Sequence, residues 1–379
     1  MAEKKKQHYV PRFYLKLFSW DDKKAINIYN INNQKIILGG NLKNQCCEPY
    51  FYGQNSTVES AFGDLENIAS RIINQIISSN SAPKLGTKEY HTILTYVLLQ
   101  LSRTKYAVDA EDELIDTLIK YLIEKEGTLT REELNQIQIK SSDPAALLLG
   151  TMAQIIPIAM DLMCKILINK TNINFITSDN PVVLYNRACE QSKVLSHTGL
   201  ASKGLKIILP ISPKHILLFY DERIYKVGAR KQRFADVTID NDVKQFNDLQ
   251  WLNALENIYF NDASLQPEIQ RGASKNIRKR YTKKVHINEY QGETKVDGMQ
   301  SILLHIPNLL HSPCLNIRMN MQCIKQLRPM NEEEMNNVAM SIRDPELYTI
   351  HSAFLRLVDE GKYKASEFDV FIKDKLAIP

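Results

Sequence analysis

Asn174-Phe175-Ile176-Thr177-Ser178-Asp179-Asn180-Pro181-Val182-Val183-Leu184-Tyr185 is where this chain changes period. Before it, apolar residues recur at three- and four-residue steps. Val58, Phe62, Leu65, Ala69, Ile72 and Ile76 form one such stripe, and the spacing predicts a helix over 56–77, opened by the capping pattern Ser56-Thr57-Val58-Glu59. Further helices are expected over 87–108 and 111–125, one capped by Thr130, and an apolar one over 145–168 bent at Pro157, which lacks a backbone donor. After it, 174–177, 182–185, 205–210 and 215–220 read as strands bounded by turn residues.

The outer segments fit the same division. Val10 to Phe18 reads as a short helix opened by Pro11, and 25–38 as two strands joined at Asn32-Asn33. A helix over 240–255 and a strand at 258–260 follow. Strand-like alternation fills 281–324, clearest over 315–321, and helices are expected near 331–342 and 345–358. The expected fold class is therefore α+β: a helical N-terminal half packed with a mixed or antiparallel sheet, plus a C-terminal β/α extension. Polar residues, a proline and a glycine collect over 266–276, which sets the expected units at 1–265 and 266–379.

With 44% apolar residues, 24% charged residues and only 14 glycines and 14 prolines among 379, the composition excludes disordered and collagen-like classes. The charged start lacks the apolar core of a secretory signal, and Gly150, Gln154, Pro157 and Asp161 interrupt the longest apolar run. A cytoplasmic protein without a membrane span is expected. The six cysteines show no CxxC spacing and are expected to be buried thiols.

A net charge of +5 is too small to imply nucleic acid. Its distribution says more. From Arg271 to Lys284 there are seven cations, including Arg278, Arg280 and Lys283, with no acid and with Tyr281 among them. Such a patch can neutralise phosphates and stack a base, or can be an ordinary solvated surface.

The opening His8-Tyr9-Val10-Pro11-Arg12-Phe13-Tyr14-Leu15 and the block Thr177-Ser178-Asp179-Asn180-Pro181 resemble a bacterial family catalogued as domain of unknown function 4238. Glu48-Pro49-Tyr50-Phe51-Tyr52-Gly53, Val58-Glu59, Leu65-Glu66, Arg103-Thr104, 208–213 and Asn247 extend the resemblance to about 7–262. It implies a shared unit with shared polar positions. It implies no chemistry.

Glu59 and Glu66 stand seven residues apart, within about 20° of each other on a helix, so both carboxylates can face one cleft and bind a divalent cation. Glu59 has a second reading as the partner of the Ser56 amide, and Glu66 as half of a salt bridge. Asp179, at a sheet end, can act as metal ligand or general base, with Ser178 and Asn180 binding phosphate or water; alternatively the three build a turn before Pro181. His8 stands ahead of a helix start, where with Tyr9, Arg12 and Tyr14 it can hold a phosphate and donate a proton. The bland alternative is an anchored N-terminus. Arg103 suits either a phosphate or a structural ion pair.

Two functions follow. The first is a metal-dependent phosphodiesterase acting on nucleic acid, in a defence or toxin setting, with Glu59, Glu66 and Asp179 on Mg2+ or Mn2+ and His8 as acid. The second is a non-enzymatic module that binds a nucleotide or a protein through the same residues. A third possibility is that these blocks only stabilise the fold.

Overall fold

The computed structural model describes residues 6–20, 24–53, 56–189, 198–280, 285, 287–296, 299–305, 320–337, 340–364 and 367–376. The chain opens with β1 (Lys6–His8), α1 (Arg12–Leu15), β2 (Ala25–Asn30), β3 (Lys35–Asn41) and β4 (Cys47–Pro49). Helices α2 (Ser56–Ser79), α3 (Lys88–Ser102), α4 (Lys105–Glu126), α5 (Arg131–Leu134) and α6 (Pro144–Ile155) follow. Next come β5 (Met163–Asn169), β6 (Thr177–Ser178), β7 (Val183–Tyr185), β8 (Lys206–Ser212), β9 (His215–Tyr220), β10 (Tyr225–Val227) and β11 (Phe234–Val237). The remainder is α7 (Asp240–Asn253), β12 (Asn257–Phe260), α8 (Gln266–Asn276), β13 (Asn288–Val296), β14 (Met299–His305), β15 (Ile324–Gln326), α9 (Glu332–Asn336), α10 (Pro345–Asp359) and α11 (Phe368–Leu376). The fold is α+β.

Two sheets carry it. The larger has the order β11-β5-β9-β8-β7; β11 and β5 are parallel and every other pair is antiparallel. Side chains alternate across a strand, so each strand serves two cores. Ile166, Ile207, Leu209, Leu217 and Phe219 pack under Ile73 of α2 and Ile93, Leu94 and Val97 of α3. On the other face Leu167, Ile208, Ile216 and Leu218 meet Val243, Phe246 and Leu249 of α7 and Met321, Ile324 and Met330. The smaller sheet, β3-β2-β12-β6, is antiparallel, and with Trp251 and α8 it encloses a third core.

The expected helix over 145–168 is instead α6, a 3₁₀ turn over Ile156–Ala159 and the strand β5. Pro157 lies in that turn. β5 is covered on both faces and buried from Cys164 to Asn169, so it shows no polar alternation and reads like a buried helix. The expected helix over 87–108 breaks at Arg103-Thr104. There Thr104, extended at φ −75° and ψ 155°, accepts the Ala107 amide and starts α4, which runs well ahead of the expected 111–125. Thr130 does cap α5, in a full capping box with Glu133. The capping of Ser56 by Glu59 involves a side chain outside the described residues, as does most of the strand expected over 315–321.

The stretch read as a boundary, 266–276, is α8, packed on α7. Lys275 and Asn276 both reach the buried Asp248 at 2.6 Å. Beyond it, β15 pairs with β10, and the buried Arg343 holds Asp161 through two bonds of 2.7 Å. The five described cysteines are all free thiols. No described helix is long and apolar enough to cross a membrane.

Candidate functional site

The blocks singled out in the sequence meet around β6 and the turn that follows it. Tyr14 of α1 donates to the Pro210 carbonyl at 2.6 Å, and its hydroxyl lies 2.7 Å from Thr177 Oγ1. Thr104 donates to Asn180 Oδ1 at 3.2 Å, which ties the start of α4 to the same turn. Gln100 of α3 donates to the Tyr9 carbonyl at 3.0 Å.

Asp179 is 2% exposed, and its carboxylate is fully engaged. Oδ1 accepts the Leu255 amide at 2.8 Å, and Oδ2 accepts those of Glu256 and Asn257 at 2.7 and 2.9 Å. Burial pushes the carboxyl up to about 6, while the three amides and the Arg280 guanidinium pull it down. It serves as a clamp on the turn between α7 and β12. Asp179, expected as metal ligand or general base, thus has three of its acceptor sites on backbone donors.

Ser178 and Asn180 are committed as well. Along one face of α7, Asn247, Gln250 and Asn253 stand three residues apart and bond the 174–182 segment as a zipper. Asn247 accepts the Ile176 amide and donates to the Asn174 carbonyl. Gln250 accepts from Ser178 Oγ at 3.0 Å and donates to the Pro181 carbonyl at 2.9 Å. Asn253 donates to the carbonyls of Asn180 and Val182, and its own carbonyl accepts from Asn180. Both expected substrate-binding side chains are therefore buried tethers. The helical spacing of these α7 amides is a signal that sequence reasoning passed over.

The carboxylates of α2 do not join Asp179. Arg103, 1% exposed, donates to Glu66 Oε1 at 2.8 Å and to Gln100 Oε1 at 2.8 Å, with its guanidinium carbon 4.5 Å from the Phe62 ring centroid. Glu66, expected as a catalytic and metal-binding carboxylate, is thereby the counter-ion of buried Arg103, expected as a phosphate contact; the pair matches the structural ion-pair reading of both residues. Glu59 lies on the same side as Glu66, both acting on Tyr52. Among the described residues no three His, Cys, Asp or Glu groups are placed to hold a metal, so the expected Glu59, Glu66 and Asp179 set does not assemble.

His8 belongs to β1, paired with Cys47, and does not stand free ahead of a helix. Burial pushes its imidazole down to about 4, and Arg12, Lys6 and Arg103 add to the effect against a backbone hydrogen bond at Lys43. Burial therefore works against the protonated imidazole expected as a proton donor. Tyr9 is buried against Phe51, with ring centroids 5.3 Å apart. Arg12 is exposed.

The basic run divides. Arg280 turns inward, where its guanidinium donates to the carbonyls of Ala254 and Leu255 at the end of α7. This sets Arg280 apart from the exposed cations with which it was expected to contact nucleic acid. Arg271, Lys275, Arg278 and Lys279 are exposed; Arg271 pairs with Glu268 and Lys275 with Asp248. Residues 281–284, including Lys283, lie outside the described residues. Between α7 and α8 is a cavity of about 230 Å³, lined in part by Lys244, Asp248, Trp251, Arg271 and Lys275. Across α8 a second depression of about 750 Å³ is lined by Gln34, Gln266, Gln270, Ser274 and Arg278 among others.

No curated protein and no solved structure matches this chain. A family described as "Protein of unknown function (DUF4238)" matches residues 6–264, so the span that holds the zipper, the Asp179 clamp and the Arg103 ion pair is the family's own unit. The chain belongs to that family.

Proposed function

We propose that this protein binds nucleic acid through the outer surface of α8 and does not cleave it. The observation that carries this reading is the exposed cation set Lys244, Arg271, Lys275 and Arg278, which lines two depressions that flank one helix, with the exposed Lys279 next to Arg278 in the chain. Lys244, Arg278 and Lys279 are exposed, where their charge can meet phosphates. Binding is favoured over hydrolysis because the carboxylates a phosphodiesterase would use on Mg2+ or Mn2+ are spent on backbone amides and on Arg103.

The test is fluorescence anisotropy of labelled oligonucleotides with the full chain at several salt concentrations, with Mg2+ or Mn2+ present and the products run on a denaturing gel. Saturable binding with intact strands is expected. The triple variant Lys244→Ala/Arg278→Ala/Lys279→Ala should bind at least tenfold more weakly. Its salt slope should be shallower by about 3, at about 0.9 per lost phosphate contact. Metal-dependent cleavage by the wild type, or no binding to any nucleic acid, would overturn the proposal.

A further inference from the structure

We infer that the nucleic acid is duplex DNA, with α8 laid in its major groove; this rests on the binding reading above and names its ligand. Gln270, Arg271, Ser274 and Lys275 are all exposed, and at 100° per residue they fall within an arc of about 140° on α8; Arg278, also exposed, follows in the 3₁₀ turn Ile277–Lys279. Apart from Pro267, that face is polar. Depressions on both sides leave the helix as a ridge, and a helix of about 10–12 Å diameter matches a B-form major groove about 12 Å wide. The side chains suit base edges: guanidinium groups pair with guanine and a glutamine amide with adenine. Lys244 beside one depression and Gln34 beside the other flank the ridge where the two phosphate strands would run.

The alternatives fit less well. A single strand is held by bases stacked on exposed rings. Among the described residues, the aromatic rings beside α8, Tyr29 and Trp251, are 5% and 1% exposed and pack on each other with centroids 5.1 Å apart, so neither offers a platform. Duplex RNA hides its major groove, which is too narrow to admit a helix.

The experiment compares duplex DNA, its separated strands and duplex RNA of the same sequence, using wild type and Gln270→Ala/Arg278→Ala. Both substituted positions are exposed, and an unchanged circular dichroism spectrum and melting temperature verify the fold. Duplex DNA should bind at least tenfold tighter than either alternative, and a major-groove ligand such as methyl green should compete where the minor-groove ligand netropsin does not. In selection from randomised duplexes the double variant should lose sequence preference. Equal or tighter binding of single strands or duplex RNA would overturn the duplex inference while leaving nucleic-acid binding in place. Binding unaffected by any substitution on α8, or competed only by netropsin, would overturn the placement of α8. Failure to bind all three would remove the binding reading itself.

Discussion

Replacing Asp179 by alanine separates a structural clamp from a catalytic group. The substitution leaves the part-buried amides of Leu255, Glu256 and Asn257 without their acceptor, and Asn180 and Asn253 cannot take over because they already bond each other's backbone. At about 1–2 kcal/mol for each orphaned donor the loss is roughly 3–6 kcal/mol. An unfolding entropy of about 2.1 cal/mol/K per residue gives the 379 residues about 0.8 kcal/mol/K, so the melting temperature should fall by roughly 4–8 °C. Differential scanning calorimetry measures it. Asp179→Asn should lie between, since one oxygen still accepts while the new NH2 faces donors. A catalytic or metal-binding carboxylate behaves in the opposite way, because removing a charge held for function often raises stability. An Asp179→Ala melting temperature equal to or above wild type would refute the clamp.

Two further expectations concern packing and pH. A Cβ at Gly272 would fall inside van der Waals distance of the Trp251 indole, where α8 meets α7. Gly272→Ala should therefore cost about 1–3 kcal/mol in urea unfolding and weaken nucleic-acid binding by displacing α8; wild-type stability and affinity would contradict this. Burial holds the His8 imidazole down to about 4, whereas an unfolded chain titrates near 6.5. In that window the unfolded state binds the extra proton, so this group's contribution is intact above pH 6.5 and is lost as pH falls toward 4. His8→Gln should flatten the fall in melting temperature over that range; an unchanged pH profile would count against the buried, neutral imidazole.

Local chemistry explains which elements could be read from the chain. The stripe through Phe62, Ala69, Ile72 and Ile76 has one covered side, and α2 forms where that period predicts. The runs 205–210 and 215–220 coincide closely with β8 and β9, since strands of this length with turn residues on both sides have few other ways to satisfy their backbones. β5 was hidden by its own burial: covered on both faces, it carries apolar residues at consecutive positions and leaves no alternation to detect. The break at Arg103-Thr104 was hidden for a different reason. Arg103 belongs in a buried helix end only because Glu66, 37 positions earlier, neutralises it.

The same limit applies to the site. The chain by itself determined the fold class, the position of most helices, and the polar blocks at His8 to Leu15, Arg103-Thr104 and Thr177 to Pro181, because residue type and spacing act over a few positions. What those polar groups do was decided only by tertiary structure. Asp179 in a turn before proline has the chemistry of a ligand and of a clamp alike, and the donors that choose between them arrive from residues 76 to 78 positions away. Arg278 and Arg280 stand two apart in one basic run, yet one faces solvent and the other the end of α7. A hydrogen bond depends on where two segments meet in space, and composition and period do not carry that information.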